Sequence, residues 1–481
     1  MTTTDILKDR HNRANASDLD GDRLHPLVPL TLISLIIPVY FSIGSTLLTP
    51  SRLLFLFVVP VLTLRLFGGH FGKVVFFDYC LLFKVFWMMV SVAIHLPSVL
   101  VSFVGSQAVV ILGGYLVARC YIRTPAQFIK TTRMLGIIVL GLLVFAIPEA
   151  ISGRLIIPPI IDALPGMTSH VDVDYERRFG LDRAQVVFVH PIHFGLFCSI
   201  AFTLVLVGLR NHLPAAVRLV WSGLVIGAVF CSVSSGPFLA TLMQGIILLY
   251  DRIFRSVQAR WRILIWGGTV GYVILDLLSN RPAYFAVLER LAFNSYTAGV
   301  RRTLLEYGVA QIGRTPIFGV GFGSWSLPEW MTGSLDNYWL QMALIYGLPA
   351  LIAVGGGVVL MMILVGRRPY PLGTDLANCK MAWMTTMTSL GFTLATVAIW
   401  SEMMSAVYFI FGAGVFLMSA SINEEDEAET EPEPEPDPVR SRYTRFPKGP
   451  VANTSAQASD AAPRHQTNLR YPGRPSMRPQ S

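Results

Sequence analysis

The stretch MLGIIVLGLLVFAIPEAIS, residues 134–152, decides the fold class. Its length matches the roughly 17–25 residues with which an α-helix crosses the hydrocarbon core of a bilayer. Comparable runs recur from Pro26 to Ser421, and the chain is 53% hydrophobic and only 14% charged, with a mean hydropathy of +0.54. In soluble proteins about a quarter of the residues are charged. The sequence therefore predicts an all-α polytopic membrane protein.

We predict about twelve transmembrane helices, each near the length that a bilayer requires. Charge supports this count independently, because most loops that would share one face are short and basic, as the positive-inside rule demands. The same rule places both termini in the cytoplasm. The approximate spans are 27–48, 52–67, 74–95, 98–119, 134–152, 190–210, 217–234, 236–253, 262–279, 337–365, 380–400 and 403–421.

The net charge of +8 comes mostly from basic residues in these short loops and in the tail. It therefore reflects topology and does not indicate a nucleic-acid partner. The five cysteines form no CxxC pair and show no metal-ligand spacing. We accordingly predict no disulfide, no metal and no cofactor.

The chain divides into three parts by composition. Residues 1–25 form a polar cytoplasmic segment without the apolar core of a signal peptide. Residues 26–421 form the transmembrane domain. Residues 422–481 carry an acidic run, EPEPEPDP, and then a basic Ser/Pro/Arg-rich end. Such a composition cannot bury enough apolar surface to fold, so we predict a disordered cytoplasmic tail.

Two long loops, at about 153–189 and 280–336, lie on the face opposite the basic loops. They are either solvated connectors or functional segments. Both contain prolines, glycines, aromatic residues and paired arginines. Ordered loops of this length are more often functional than merely connecting, so we predict the active site there.

The loop 280–336 contains the paired arginines Arg301 and Arg302 and the turn Gly319-Val-Gly321-Phe-Gly. An arginine fork binds phosphate oxygens bidentately. A glycine turn lets a ligand approach backbone amides closely. Together with Arg314, these features predict an anion-binding wall. The alternative is a tight turn at the membrane surface, with the arginines at lipid headgroups.

The loop 153–189 contains Arg178 and Arg183 and leads to His190-Pro-Ile-His193. His190 stands at the start of a predicted helix, where a general base or a hydrogen-bond donor to phosphate is well placed. For His193 we favour a structural hydrogen bond.

Ionisable residues also occur inside predicted spans, at Asp78, Lys84 and Asp276. Such residues are functional candidates. For Asp78 and Lys84, an internal ion pair that serves packing is an equal alternative.

Three segments resemble the O-antigen polymerase and ligase family of bacterial envelope polysaccharide assembly. They are RRFGLDRAQVVFVHPIHFG, SVSSGPFLA, and RRTLLEYG…RTPIFGVGFGSW…DNYWLQMALIYGLPALI. The last is the most specific, because an arginine followed by Pro-x-x-Gly-x-Gly and an Asn-x-x-Leu helix start is typical of that family. The resemblance extends over nearly all of residues 26–421.

The resemblance implies a GT-C-type glycosyltransferase in the bacterial inner membrane. Such an enzyme takes a polyprenyl-diphosphate-linked oligosaccharide at the periplasmic face and needs no metal. The essential loop arginines of the family correspond to Arg183 and Arg301, with Arg178 and Arg302 as their neighbours. Their guanidinium groups would stabilise the charge that develops on the leaving diphosphate.

One departure bears on the reaction. Ligases of this family carry a histidine just before the asparagine of the helix start, whereas this chain has Leu335-Asp336-Asn337. An aspartate can act as the base. The change favours a polymerase of exopolysaccharide or O-antigen repeat units over a ligase. A transporter or flippase is the alternative of another class, and the absence of an evident internal repeat disfavours it.

The predicted partners are the lipid-linked substrate, membrane lipids, and chain-length regulator or export proteins. The predicted catalytic residues are Arg183, Arg301, His190 and Asp336. The predicted substrate-binding residues are Arg178, Arg302, Arg314, Gly319, Gly321, Trp325 and Asn337.

Overall fold

The computed structural model describes residues 23–43, 46–169, 175–278, 295–322 and 335–420. The predictions for Trp325 and the tail, and all but the last residues of the N-terminal segment, fall outside these ranges. So does the prediction for the side chain of Arg301. In chain order the elements are α1 Leu27–Ser34, β1 Phe41–Ile43, β2 Thr46–Leu48, α2 Pro50–Phe67, α3 Phe76–His95, α4 Pro97–Tyr121, α5 Pro125–Ser152, α6 Ile157–Asp162, α7 Pro191–Gly208, α8 Ala215–Cys231, α9 Ser235–Ile253, α10 Arg260–Leu278, α11 Ser295–Arg314, α12 Tyr338–Tyr346, α13 Leu348–Gly366, α14 Asp375–Thr393 and α15 Ser401–Met418.

The chain is an all-α protein apart from the small β1–β2 hairpin. In the described residues, eight helices are long and apolar enough to cross a membrane: α2, α3, α4, α5, α7, α10, α13 and α15. The number and the apolar character of these helices confirm the prediction of a multi-pass membrane protein. The predicted loop 280–336 is not wholly irregular, since it contains α11.

Local chemistry explains where several helices begin. Thr49, Thr124 and Thr374 precede α2, α5 and α14, and each side chain accepts a hydrogen bond from the backbone N–H three residues later. These bonds satisfy amides that have no partner inside the helix. Proline is the first residue of α2, α5 and α7, where its fixed φ suits a helix and no N–H is needed.

Contacts between connectors define two ends of the bundle. At one end the ring of Phe71 lies 5.5 Å from that of Tyr121, and Asn211 Nδ2 donates to the Gly373 carbonyl at 2.7 Å. We call it the basic end, because its connectors carry lysines and arginines. At the other end, Asp182 N–H donates to the Ala150 carbonyl at 2.9 Å. We call this the loop end.

The predicted span 27–48 is wrong as a continuous helix. Helix α1 covers only Leu27–Ser34, because Pro38 follows closely and cannot continue a helix. The chain nevertheless runs from the basic end to the loop end. The ring of His25 stacks on Tyr121 at 3.8 Å, and Tyr40 N–H donates to the Thr168 carbonyl at 2.7 Å.

The predicted span 337–365 is two helices. At Gly347 the chain reverses with φ 86°, and a Cβ there would lie 1.9 Å from the Ile317 carbonyl oxygen. Only glycine fits such a turn. Helix α12 runs beside α3 in the same direction, from Tyr338 near Lys84 to Ile345 near Ser91. It therefore begins halfway along α3, inside the bundle.

The predicted span 380–400 also ends early. Helix α14 stops at Thr393, and residues 394–400 form an irregular segment, the 394–400 connector, before α15. Most of this connector is buried. Irregular backbone at such depth requires protein partners for its polar groups.

The ionisable residues inside α3 do not pair with each other, which corrects the proposed Asp78–Lys84 pair. Asp78 forms an ion pair with Arg119 at 3.4 Å and accepts from the Tyr115 hydroxyl at 2.5 Å. Lys84 Nζ donates to the Tyr408 hydroxyl at 3.1 Å. Each charge thus joins α3 to other helices through its own partners.

We expect Gly114→Ala to destabilise the contact between α4 and α15. A Cβ at Gly114 would lie 2.1 Å from the Ser405 carbonyl oxygen, and such overpacking costs about 1–3 kcal/mol. The control is Gly141→Ala, because a Cβ at Gly141 meets nothing within 4 Å. Heating in detergent followed by size-exclusion chromatography should show a lower Tm only for Gly114→Ala, and equal Tm values would contradict the close packing.

Candidate functional site

The 394–400 connector is the place where helix N-termini meet. Helix α15 begins directly after it, at Ser401. At the start of α12, Tyr338 N–H donates to the carbonyls of Leu394 at 2.8 Å and Val397 at 3.2 Å. The break before α12 and the break after α14 therefore supply hydrogen-bond partners to each other.

Helices α7 and α9 reach the same connector with their first turns. His193 Nε2 lies 3.2 Å from the Ala398 carbonyl oxygen, and its ring packs against Trp400 at 4.1 Å. At the start of α9, a Cβ on Gly236 would lie 2.9 Å from Val397 Cγ2. Helix N-termini carry partial positive charge and attract anions. Four such ends converge here.

Two predicted arginines lie against the start of α9. Arg183 Nη2 donates to Ser234 Oγ at 3.0 Å, and Arg178 Nη1 donates to the Val233 carbonyl at 3.4 Å. The Arg183 guanidinium also lies 5.2 Å from the centre of the Tyr175 ring. Both side chains are half-buried, so their charge acts where water screens it poorly.

A buried carboxylate that the sequence did not single out holds this loop. Glu149, in the last turn of α5, is 2% exposed. It accepts hydrogen bonds from the N–H groups of Gln185 at 3.0 Å, Val186 at 2.7 Å and Ile156 at 3.4 Å. The available signal was one acidic residue in the apolar run 134–152.

An exposed ion pair fixes the same loop on its other side. Arg177 donates to both Asp182 oxygens, from Nε at 2.9 Å and from Nη2 at 2.8 Å. The loop between these anchors therefore has a defined path past α9.

Backbone strain concentrates around this region. Among the described residues, the non-glycine positions with positive φ are Phe179 at 53°, Val186 at 55°, Val233 at 42° and Ser401 at 52°. Each conformation costs on the order of 1–3 kcal/mol, and such strain gathers at functional sites. For the β-branched valines it is a genuine outlier. Phe179, Val186 and Val233 lie in the connectors that meet here, and Ser401 is the first residue of α15.

His190 caps α7, and its Nδ1 accepts from the Ile192 N–H at 3.0 Å. Burial is the main cause that lowers the pKa of His190, to about 3, and the charges of His193, Arg183 and Arg178 lower it further. The ring is therefore neutral near pH 7, with the proton on Nε2. A group with so low a pKa is a weak general base, and of the two predicted roles its geometry suits the hydrogen-bond donor.

The described part of the glycine turn offers little support to the predicted anion-binding wall, because its amides are paired within the protein. The N–H groups of Gly319, Val320 and Gly321 donate to the carbonyls of Thr315, Leu344 and Ile345. No amide of these three remains for a ligand. The positive φ angles of Gly319 and Gly321, 68° and 72°, instead let the turn pack tightly on the end of α12.

Helix α11 runs beside α12 in the same direction, since Gly308 packs on Leu340 and the following turn on Leu344. The backbone of 301–302 therefore lies about two helical turns before this contact, toward the end of α11 that is nearer the start of α12. Arg302 Nε donates to Glu306 Oε1 at 2.8 Å. Arg314 is exposed and lies at the far end of α11. The length of α12, about 12 Å, separates it from the start of α12.

Asn337 and Asp336 stand at the start of α12. Asn337 Oδ1 accepts from the Leu340 N–H at 2.9 Å and so caps the helix. Asp336 precedes it and is half-buried. The predicted site is thus brought together in part. Arg178, Arg183 and His190 cluster, Asn337 is linked to them through the 394–400 connector, and Arg314, Gly319 and Gly321 lie elsewhere.

Trp400 and Glu402 are further residues at this site that the sequence did not indicate. The Trp400 ring lies 6.0 Å from the ring of His190 and packs on His193. Glu402 follows in the first turn of α15 and is 9% exposed. Its Oε1 has no hydrogen-bond partner in the part of the chain that the structure describes.

A scan against models of known protein families finds no match, and a search of curated proteins finds no similar sequence. The resemblance to O-antigen polymerases and ligases therefore rests on the three quoted segments alone.

We expect Glu149→Leu to loosen the arginine loop. The N–H groups of Gln185 and Val186 would lose their acceptor, and each unsatisfied buried group costs about 1–3 kcal/mol. Hydrogen–deuterium exchange should then be faster over residues 183–188 than in the wild type. The exposed Glu176→Leu is the control, and unchanged protection in Glu149→Leu would show that the carboxylate does not anchor the loop.

The lowered pKa of His190 predicts a pH dependence of stability. Between about pH 6.5, the ordinary value, and the folded value near 3, the unfolded state binds the proton and the folded state does not. Stability therefore falls as pH falls, by up to about 1.4 kcal/mol per pH unit.

His190→Asn supplies a capping oxygen in place of Nδ1 and removes the group that binds this proton. Its Tm should fall less than that of the wild type between pH 7.5 and pH 5. The exposed His70→Asn is the matched control. If the Tm of His190→Asn fell as steeply with pH as that of the wild type, His190 would not be the group responsible for the pH dependence.

Proposed function

We propose that the chain polymerises polyprenyl-diphosphate-linked oligosaccharide repeat units into exopolysaccharide or O-antigen. The observation that supports this most is the placement of Arg178 and Arg183 beside the meeting point of four helix N-termini. Half-buried cations and positive helix ends together suit a doubly charged, elongated anion such as a diphosphate.

The same arrangement suits the chemistry of glycosyl transfer without a metal. When the bond between the anomeric carbon and the diphosphate breaks, negative charge develops on the leaving oxygen. Fixed donors that already point at that position stabilise it without reorganising. Arg183 and Arg178 take this role, and the Nε2–H of neutral His190 supplies a further donor.

The proposal includes the topology that the substrate needs. The basic end faces the cytoplasm and the loop end faces the periplasm of a bacterial inner membrane, with about twelve crossings in a GT-C-type arrangement and both termini inside. The collection of basic connectors at one end supports this orientation.

Polymerase is preferred to ligase because Asp336 occupies the position before Asn337 at which ligases of this family carry histidine. The ligase, which transfers finished glycan to a lipid acceptor, remains the alternative within the same chemistry.

A second candidate, a flippase or transporter of lipid-linked glycan, is favoured by one observation. The breaks at 335–337 and 394–400 place helix ends within the bundle, as in transporters with discontinuous helices. The glycan that accumulates in a deletion strain separates the candidates. Single repeats on the lipid core indicate a lost polymerase, finished polymer on the carrier a lost ligase, and carrier-linked repeats confined to the cytoplasmic face a lost flippase.

We expect Arg183→Ala and Arg178→Ala to reduce polymer formation by about 100-fold or more, the usual cost of losing one transition-state donor. Arg183→Lys should also be poor, because a point charge cannot replace a bidentate fork. The measurement is the glycan profile of a deletion strain complemented with each variant. Arg154→Ala, an exposed arginine at the same end, is the control, and normal long-chain glycan in Arg183→Ala would refute the site.

A further inference from the structure

Glu402 is a buried acid in a strained setting. The carboxylate is 9% exposed, and its Oε1 has no hydrogen-bond partner among the residues that the structure describes. The preceding residue, Ser401, has φ 52°. Unsatisfied buried oxygens and positive φ angles are both costly, and their coincidence at one position points to a use.

The surroundings of Glu402 connect it to the arginine site. Trp400, two residues earlier, packs on His193 and lies 6.0 Å from His190, ring to ring. The ring centres of His190 and Tyr175 lie 5.0 Å apart, and the Arg183 guanidinium lies 5.2 Å from the centre of the Tyr175 ring. The two histidines therefore lie between the segment that begins α15 and the arginine site.

A polar group from another segment lies near Glu402. Burial is the main cause that raises the pKa of the Tyr40 hydroxyl, and the negative charge of Glu402 raises it further, while Arg52 lowers it. A tyrosine hydroxyl can donate a hydrogen bond to a ligand hydroxyl or accept one from it.

Resting on the proposed glycosyl transfer, we propose that Glu402 is the general base that activates the acceptor sugar. One of its carboxylate oxygens takes the proton from an acceptor hydroxyl. The acceptor oxygen forms a bond to the anomeric carbon of the donor. The bond from that carbon to the diphosphate breaks, and its electron pair leaves with the diphosphate, next to Arg178 and Arg183.

This assignment differs from the base that the sequence indicated. Asp336 precedes the cap of α12, whereas Glu402 lies in the first turn of α15 with an oxygen that has no hydrogen-bond partner among the described residues. A base must have a free oxygen for the acceptor. Glu402 meets this condition within the described residues.

The test uses purified full-length protein in proteoliposomes, supplied with the lipid extract of a deletion strain as donor and acceptor. Polymer formation is followed by gel. Glu402→Gln should lower kcat/KM by about 10²–10⁴-fold, the usual contribution of a general base.

Stability separates a catalytic role from a structural one. Glu402→Gln removes a buried charge, so its Tm should equal or exceed that of the wild type. Glu402→Asp, which keeps a carboxylate, should retain more activity than Glu402→Gln, a difference that the loss of a purely structural group would not produce.

The outcomes distinguish the two proposals. No polymer from the wild type in this assay would overturn the proposed function. An active wild type, an inactive Arg183→Ala and a Glu402→Gln variant near wild-type rate would overturn only the role of Glu402. A lower Tm or loss of folded protein in Glu402→Gln would also overturn it, because the carboxylate would then be structural.

Discussion

The candidate site depends on a carboxylate that touches no substrate. Glu149 receives the N–H groups of Gln185 and Val186 and is almost fully buried. A charged hydrogen bond in such surroundings is stronger than its neutral counterpart, and losing it leaves buried amides unsatisfied. It stabilises Val186 in a φ range that valine rarely adopts. Arg183 lies two residues before Gln185 and three before Val186, so the same contact fixes the backbone next to it.

The second constraint is the mutual satisfaction of two breaks in helical structure. An unpaired N–H or C=O inside a membrane protein costs several kcal/mol. The N–H of Tyr338 reaches the carbonyls of Leu394 and Val397, so the start of α12 and the end of α14 stabilise each other. Either break alone would leave unpaired groups. Their pairing places helix N-termini within the bundle.

The sequence predicted the features that composition and spacing carry, and missed those that depend on three-dimensional contacts. Apolar length identified the helices that are long enough to cross a membrane, and Arg178, Arg183 and His190, which follow one another in the sequence, lie near one another in the structure. The role of Gly319 and Gly321 could not be read from the sequence, because a glycine turn that binds an anion and one that packs on α12 have the same residue pattern. Glu149 and Glu402 were overlooked, since a single acidic residue in or beside an apolar run shows its partners only after folding.

A buried network keeps the converging helix ends in register. The Tyr338 and Tyr408 hydroxyls lie 2.8 Å apart, and Lys84 donates to both, at 3.5 and 3.1 Å. This cluster ties α12 and α15 to α3, with Tyr338 at the first residue of α12 and Tyr408 about two helical turns into α15. Catalysis by fixed dipoles requires that the donors stay in place while charge develops, since any reorganisation raises the barrier. A network of three side chains from three helices restricts sliding of one helix end past another, so the geometry of the N-termini is set before a substrate binds.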